Sequence, residues 1–313
     1  MAHYMKNTNT PAYPALSGRR RGLEAKKNLT GYMFVAPAVL FFAVFVIIPL
    51  CLSLYIGFLE TNIFFRNVKF AGLNNFARLF SDPIFGKSLV NILMYALMAV
   101  PMNVVFSLGL ALLLNMRRKG TKVFRTLFYI PSVTSAVAAS LIWLWMLNVN
   151  NGLFNEVLKA IGLPAYSWLS HSSTALFSVT IVTVWMGLGG NMIIFLAALQ
   201  GLPAEIYEAA DIDGASSMRK FFSLTIPFLS PTMFFILTMT LIGAFQLYDQ
   251  VFVLTGGGPA NSTMTPVYLI WQNAFGSGAV RQAGYAAAQS LALFVVIMTV
   301  SFLVRGLNKM IDF

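Results

Sequence analysis

The chain runs to 313 residues, 58% of them hydrophobic and only 10% charged. A soluble domain carries about 25% charged residues, so the composition excludes one and predicts an all-α polytopic membrane protein. The formal net charge of +11 does not argue for nucleic acid, because the lysines and arginines flank apolar runs instead of gathering on one polar segment.

Residues 1–31 read as a cytoplasmic, partly disordered tail. Arg19, Arg20, Arg21, Lys26 and Lys27 cluster near the membrane, and Pro11, Pro14 and Gly18 oppose regular structure. A tail this polar ahead of the first apolar run gives no sign of a cleavable signal peptide. Residues 32–313 form one transmembrane domain. Seven uncharged stretches there reach 23 residues or more, where about 20 suffice to cross a bilayer. Six predict spans: Tyr32–Phe58, Ser88–Leu114, Phe124–Leu147, Thr174–Leu199, Thr232–Leu254 and Tyr285–Val304. The seventh, between Val251 and Val280, reads as a loop, since Gly256-Gly257-Gly258-Pro259 and its hydroxyl and amide side chains suit lipid burial poorly. Prolines 37, 49, 101, 131 and 231 fall in or at the edges of spans and predict bends or helix starts.

With a cytoplasmic N-terminus, the inner segments hold fifteen of the 21 lysines and arginines, as the positive-inside rule asks. Both termini, and a polar segment at about 200–231, are then cytoplasmic.

Catalysis finds no candidates. There is no phosphate loop, and Gly256-Gly257-Gly258-Pro259 lacks the lysine one needs. The two histidines, His3 and His171, are too few and too far apart for a metal cluster. No catalytic triad or carboxylate pair emerges, so the chain is expected to be neither an enzyme nor a holder of a metal or cofactor. The single cysteine, Cys51, permits no intramolecular disulfide and reads as a small buried hydrophobe. Asp249, near the outer end of the fifth span, is the one charged candidate inside the bilayer, which leaves little for a proton relay.

The segment at 200–231 is the informative one. Four of the ten acids stand here: Glu205, Glu208, Asp211 and Asp213. Pro203 suits a first helical turn, and Glu205, Glu208 and Asp211 then form one acidic stripe favoured by the helix dipole. Ala209 and Ala210 keep that helix thin. Gly214 can take the left-handed conformation that ends it, and Ser216 or Ser217 can cap a second helix bearing Arg219 and Lys220. From these residues alone, a docking element and an ordinary solvated interfacial helix are both open.

Glu208-Ala209-Ala210, Gly214 and Leu224-Thr225-Ile226-Pro227, at these spacings, resemble the Glu-Ala-Ala loop of ABC importer permeases, whose usual ending is Ile-x-Leu-Pro. Ile206-Tyr207-Glu208-Ala209-Ala210-Asp211-Ile212-Asp213-Gly214-Ala215 narrows the likeness to the carbohydrate-uptake branch, the relatives of the maltose transporter permeases. Ala36-Pro37, Phe128-Tyr129-Ile130-Pro131, Thr255-Gly256-Gly257-Gly258-Pro259 and Gly284-Tyr285-Ala286-Ala287-Ala288 belong to the same pattern. The resemblance implies a six-span permease of the bacterial cytoplasmic (inner) membrane. It would pair with a second, homologous permease and with two ATP-binding subunits that hold the ATP and Mg. An extracellular solute-binding protein would deliver a sugar. Coupling to the ATPase would fall to Glu205, Glu208, Ala209, Ala210, Asp211, Gly214 and Pro227. The sugar path would include Met186, Gly187 and Gly190 in the fourth span and Thr240, Gly243, Ala244 and Leu247 in the fifth, with Trp185, Asn191, Gln246 and Tyr248 close by. A glycerol phosphoester as the solute, or a stand-alone secondary carrier, are the alternatives.

Overall fold

The computed structural model describes residues 31–65, 68–116, 119–276 and 282–311. The tail up to residue 30 and the basic residues Arg117, Arg118 and Arg281 lie outside the described residues.

The chain divides at Ser53 into two units. The first holds most of helix α1 (Gly31–Gly57), which contains a π turn at Ala43–Ile47. Cys51 on it is exposed, contrary to the expected burial. The helix is apolar on every side, so its pattern singles out no core face.

The second unit begins with a two-residue hairpin, β1 (Leu59–Glu60) and β2 (Lys69–Phe70), paired antiparallel. Its helices, in chain order, are α2 (Asn74–Ser81), α3 (Pro83–Asn115), α4 (Thr121–Val133), α5 (Ala136–Met146), α6 (Leu153–Ala160) and α7 (Ala175–Gln200). Then come α8 (Ala204–Ile212), α9 (Ser217–Phe245), α10 (Asp249–Leu254), α11 (Pro266–Phe275) and α12 (Ala283–Ile311).

The core is built on α3 against α7. Ser88, Ile92, Tyr95, Ala99, Asn103, Ser107 and Ala111 are buried at the three- and four-residue spacing of one helical face. Small and hydroxyl side chains on that face let helices approach closely, which is what drives packing in lipid. The opposite face of α3 carries exposed Leu97, Val105 and Leu113, as a bilayer requires. α7 also crosses α4 closely at Gly189, where a Cβ would lie 2.2 Å from the Phe128 carbonyl oxygen.

Among the described residues, five helices are long and apolar enough to cross a membrane, and up to six if one bent pair counts as a span. That pair is α4 and α5, which meet at 101° where the sequence predicts one span, Phe124–Leu147, with a bend or start at Pro131. Ser132 Oγ donates to the Tyr129 carbonyl at 2.7 Å and Thr134 Oγ1 to that of Ile130 at 2.8 Å. Such back-bonding competes with the helix ladder, and Thr134 turns extended. The expected fifth span, Thr232–Leu254, is also divided. Its helix starts earlier, at Ser217, and stops at Phe245; α10 resumes at Asp249. The stretch expected as loop, Val251–Val280, holds most of α10 and all of α11. The latter begins with Thr265 capping the Tyr268 amide and with Pro266 in its first turn, the ordinary signals of a helix start.

Candidate functional site

Four helices and one break line an open cleft of about 440 Å³. Its walls are Tyr95, Ala99 and Asn103 of α3; Thr183, Val184, Met186, Gly187 and Asn191 of α7; and Met239, Thr240, Gly243 and Ala244 of α9. The break after α9 adds Gln246, Leu247 and Tyr248, and α10 adds Asp249 and Gln250. The chain turns here because the Gln246 and Leu247 amides fall back on the carbonyls of Gly243 and Ala244, at 3.0 and 3.3 Å. Thr265 Oγ1 donates to the Leu247 carbonyl at 2.8 Å, which ties the break to the start of α11.

Thr183, Gly187 and Asn191 recur every four residues and so share one face of α7. Asn103 fills the notch that Gly187 leaves: a Cβ on Gly187 would stand 2.6 Å from Asn103 Nδ2. Asn191 Nδ2 donates to Asn103 Oδ1 at 2.5 Å and to Thr240 Oγ1 at 3.3 Å. These three side chains tie α3, α7 and α9 together at the cleft wall. Every polar lining side chain other than Asp249 is a hydroxyl or an amide.

Of the residues expected along a solute path, Met186, Gly187, Asn191, Thr240, Gly243, Ala244 and Leu247 line the cleft, as do the neighbouring Gln246 and Tyr248. Trp185 and Gly190 do not. Trp185 turns away and meets Trp143 of α5 edge-on at 5.5 Å, being two residues from Gly187 and thus on the far side of the helix. The α3 wall was missed from sequence. Asn103 did carry a signal, an amide in the middle of an apolar helix of 33 residues, where polar groups are costly.

A second site lies at the α8–α9 turn. Pro203 caps α8, and Glu205, Glu208, Ala209 and Asp211 are all exposed, with Ala210 half-buried. Gly214 has φ +71°, and the Ala215 amide reaches back to the Ala210 carbonyl at 2.9 Å, closing a Schellman-type end. Ser216 accepts from the Arg219 amide at 3.3 Å. The helix that Ser216 caps is not a separate short one. Instead α9 runs from Ser217 through a π turn at Phe221–Thr225 into the apolar segment, with Pro227 exposed on it. Two contacts fasten α8 to this start, Tyr207 Oη to Thr225 Oγ1 at 2.9 Å and Lys220 Nζ to Asp211 at 2.5 Å. Between them opens a hollow of about 500 Å³ lined by Ala210, Asp213, Ala215, Arg219, Lys220, Ser223 and Leu224.

Residues 76–313 match the family described as the binding-protein-dependent transport system inner membrane component. The chain belongs to that family. It is 37% identical over 297 residues to the lactose transport system permease protein LacF of Rhizobium radiobacter, spanning 91% of this chain and 95% of that one. It is 32% identical over 270 residues to the sn-glycerol-3-phosphate transport system permease protein UgpA of Yersinia pestis bv. Antiqua (strain Antiqua), spanning 85% and 90%. The crystal structure of a bacterial ABC transporter involved in the import of the acidic polysaccharide alginate matches with a TM-score of 0.80 at 21% identity, over 94% of this chain and 100% of that one. At that identity the likeness carries the fold alone. The protein is therefore a multi-pass inner-membrane permease, as the Glu-Ala-Ala resemblance implied, and its relatives are transport permeases, not enzymes.

Proposed function

We propose that this permease forms half of the translocation pathway of an importer for a sugar or oligosaccharide. It takes its solute from an extracellular binding protein and is driven by ATP bound with Mg on two separate subunits. A second homologous permease supplies the other half. Residues 32–313 make up the transmembrane domain, with the bent α4–α5 pair as its third span of six, and both termini lie in the cytoplasm. The α8–α9 turn, within about 200–231, docks into an ATP-binding subunit. Glu205, Glu208 and Asp211 offer polar contacts, Ala209 and Ala210 allow close approach, Gly214 makes the reversal, and Pro227 sits on the helix that carries the motion inward. What supports this reading is the exposed acidic helix tied to the start of a span by the Tyr207–Thr225 and Asp211–Lys220 contacts. A merely solvated helix needs neither tie.

The cleft supports the saccharide half of the reading. Amides and hydroxyls on a partly apolar wall, with Tyr95 and Tyr248 as aromatic faces, match the mixed surface of a sugar ring. A glycerol phosphoester, the solute named for the UgpA relative, would call for lysine or arginine, and among the described residues none lines the cleft. A carrier without an ATPase would have no use for the docking turn. The test is a mild-detergent pull-down from the native membrane. The expected result is recovery of a second permease and an ATPase, with the ATPase lost when Glu208 and Gly214 are both replaced. Recovery of this chain alone, still moving a solute without ATP, overturns the proposal.

A further inference from the structure

Among the described residues, Asp249 is the one residue lining the cleft with an acidic or basic side chain. Its carboxylate is half-buried, and among the described residues it makes no ion pair or side-chain hydrogen bond. It stands at the start of α10, beside Tyr248, after the outer break, whereas the Asn103–Asn191–Thr240 cluster occupies mid-helix positions. A carboxylate without a paired cation in an open cleft with partly apolar walls acts on a ligand more strongly than the same group on a flat, fully solvated surface, because the walls focus its field. Attraction for hydroxyls is unaffected, since a carboxylate accepts hydrogen bonds from them. A second carboxylate or a phosphate in the same space meets like charge with no cation on this wall to offset it.

We infer that Asp249 is a charge-selecting residue of the solute path, which makes the cleft specific for uncharged saccharides and excludes those bearing carboxylate or phosphate. This rests on the importer reading and narrows its substrate class. The simpler role for Asp249, balancing the positive end of α10, predicts an effect on stability and none on which solute binds.

The discriminating experiment uses the assembled importer in lipid nanodiscs and matched probes that differ only in charge: galactobiose with digalacturonate, and glycerol with sn-glycerol 3-phosphate. In the wild type, the neutral member of a pair binds about tenfold or more tightly than its anionic counterpart. Asp249→Asn, nearly isosteric, closes that gap, while Asp249→Glu keeps it. Size-exclusion chromatography of each complex separates a change in selectivity from a failure to assemble. A gap of undiminished size in Asp249→Asn overturns the charge-selecting role and leaves the sugar importer standing. Binding of digalacturonate in preference to galactobiose by the wild type overturns the charge-selecting role, and binding of sn-glycerol 3-phosphate alone among the four probes overturns the saccharide reading itself.

Discussion

Gly214 separates two consequences of one turn, its backbone shape and its surface charge. At φ +71° a non-glycine residue bears roughly 1–2 kcal/mol of strain. Space is not the obstacle, since a Cβ at this position meets nothing within 4 Å. Gly214→Ala therefore lowers the population of the correctly turned loop about 5- to 30-fold and leaves the packing of the spans untouched. Asparagine tolerates the left-handed region, so Gly214→Asn transports close to wild type. Aspartate shares that tolerance but places a further acid beside Glu208, Asp211 and Asp213. In a surface that docks into another protein, an unpaired buried charge costs about 3–5 kcal/mol, so Gly214→Asp abolishes uptake. The expected order is glycine, asparagine, alanine, aspartate. It is read as solute uptake in cells and as ATP hydrolysis by the purified complex, with membrane insertion checked on a native gel. If Gly214→Asp transports as well as Gly214→Asn, the turn does not dock. If Gly214→Ala equals wild type, the left-handed geometry is not what the loop needs.

Gly189→Val would drive a side chain into the Phe128 carbonyl and Tyr129 Cα, backbone atoms that cannot rotate aside. About 1–3 kcal/mol of destabilisation should appear as a lower Tm in detergent, whereas Gly190→Ala, with nothing within 4 Å, removes a glycine from a helix interior and raises the Tm slightly. Asn103→Leu removes the acceptor of the shortest bond among α3, α7 and α9. Interhelical hydrogen bonds in lipid average about 0.6 kcal/mol, so stability should barely change while saccharide affinity in nanodiscs falls; an unchanged affinity would take Asn103 out of the path.

The α8–α9 turn was legible in the sequence because its residues have few conformational uses. Gly214 next to an acidic, alanine-containing stretch has one natural role, and Ser216 before Arg219 has another. The continuation was not legible. Nothing in Ser217–Thr225 shows that the second helix runs unbroken into the apolar segment, because the π turn that carries it across has no composition of its own. The α4–α5 bend was half-visible: Pro131 warned of a kink, but the hydroxyl bonds of Ser132 and Thr134 moved it three residues on. For the cleft, the α7 and α9 walls came from resemblance, and helical periodicity would have removed Trp185 from that group. The α3 wall depended on a fact no single helix contains, that the gap left by Gly187 is filled by Asn103 from a helix more than 80 residues earlier.

The continuity of α9 bears on how a push at the turn would reach the cleft. At about 1.5 Å per residue its 29 residues run as one helix from the proposed docking surface to Thr240, Gly243 and Ala244, with the π turn, Pro227 and Pro231 as the places where its hydrogen-bond ladder is altered. Tyr207–Thr225 and Asp211–Lys220 hold α8 to the near end, so displacement of α8 carries α9 with it. At the far end the joints differ in strength. Asn191 meets Asn103 at 2.5 Å but Thr240 at 3.3 Å, and long hydrogen bonds are the weaker ones. The α3–α7 pair is further locked by the fit of Asn103 against Gly187. The seam that yields first is therefore the one between α9 and that pair, and sliding along it would change the width of the cleft while leaving the α3–α7 wall in place.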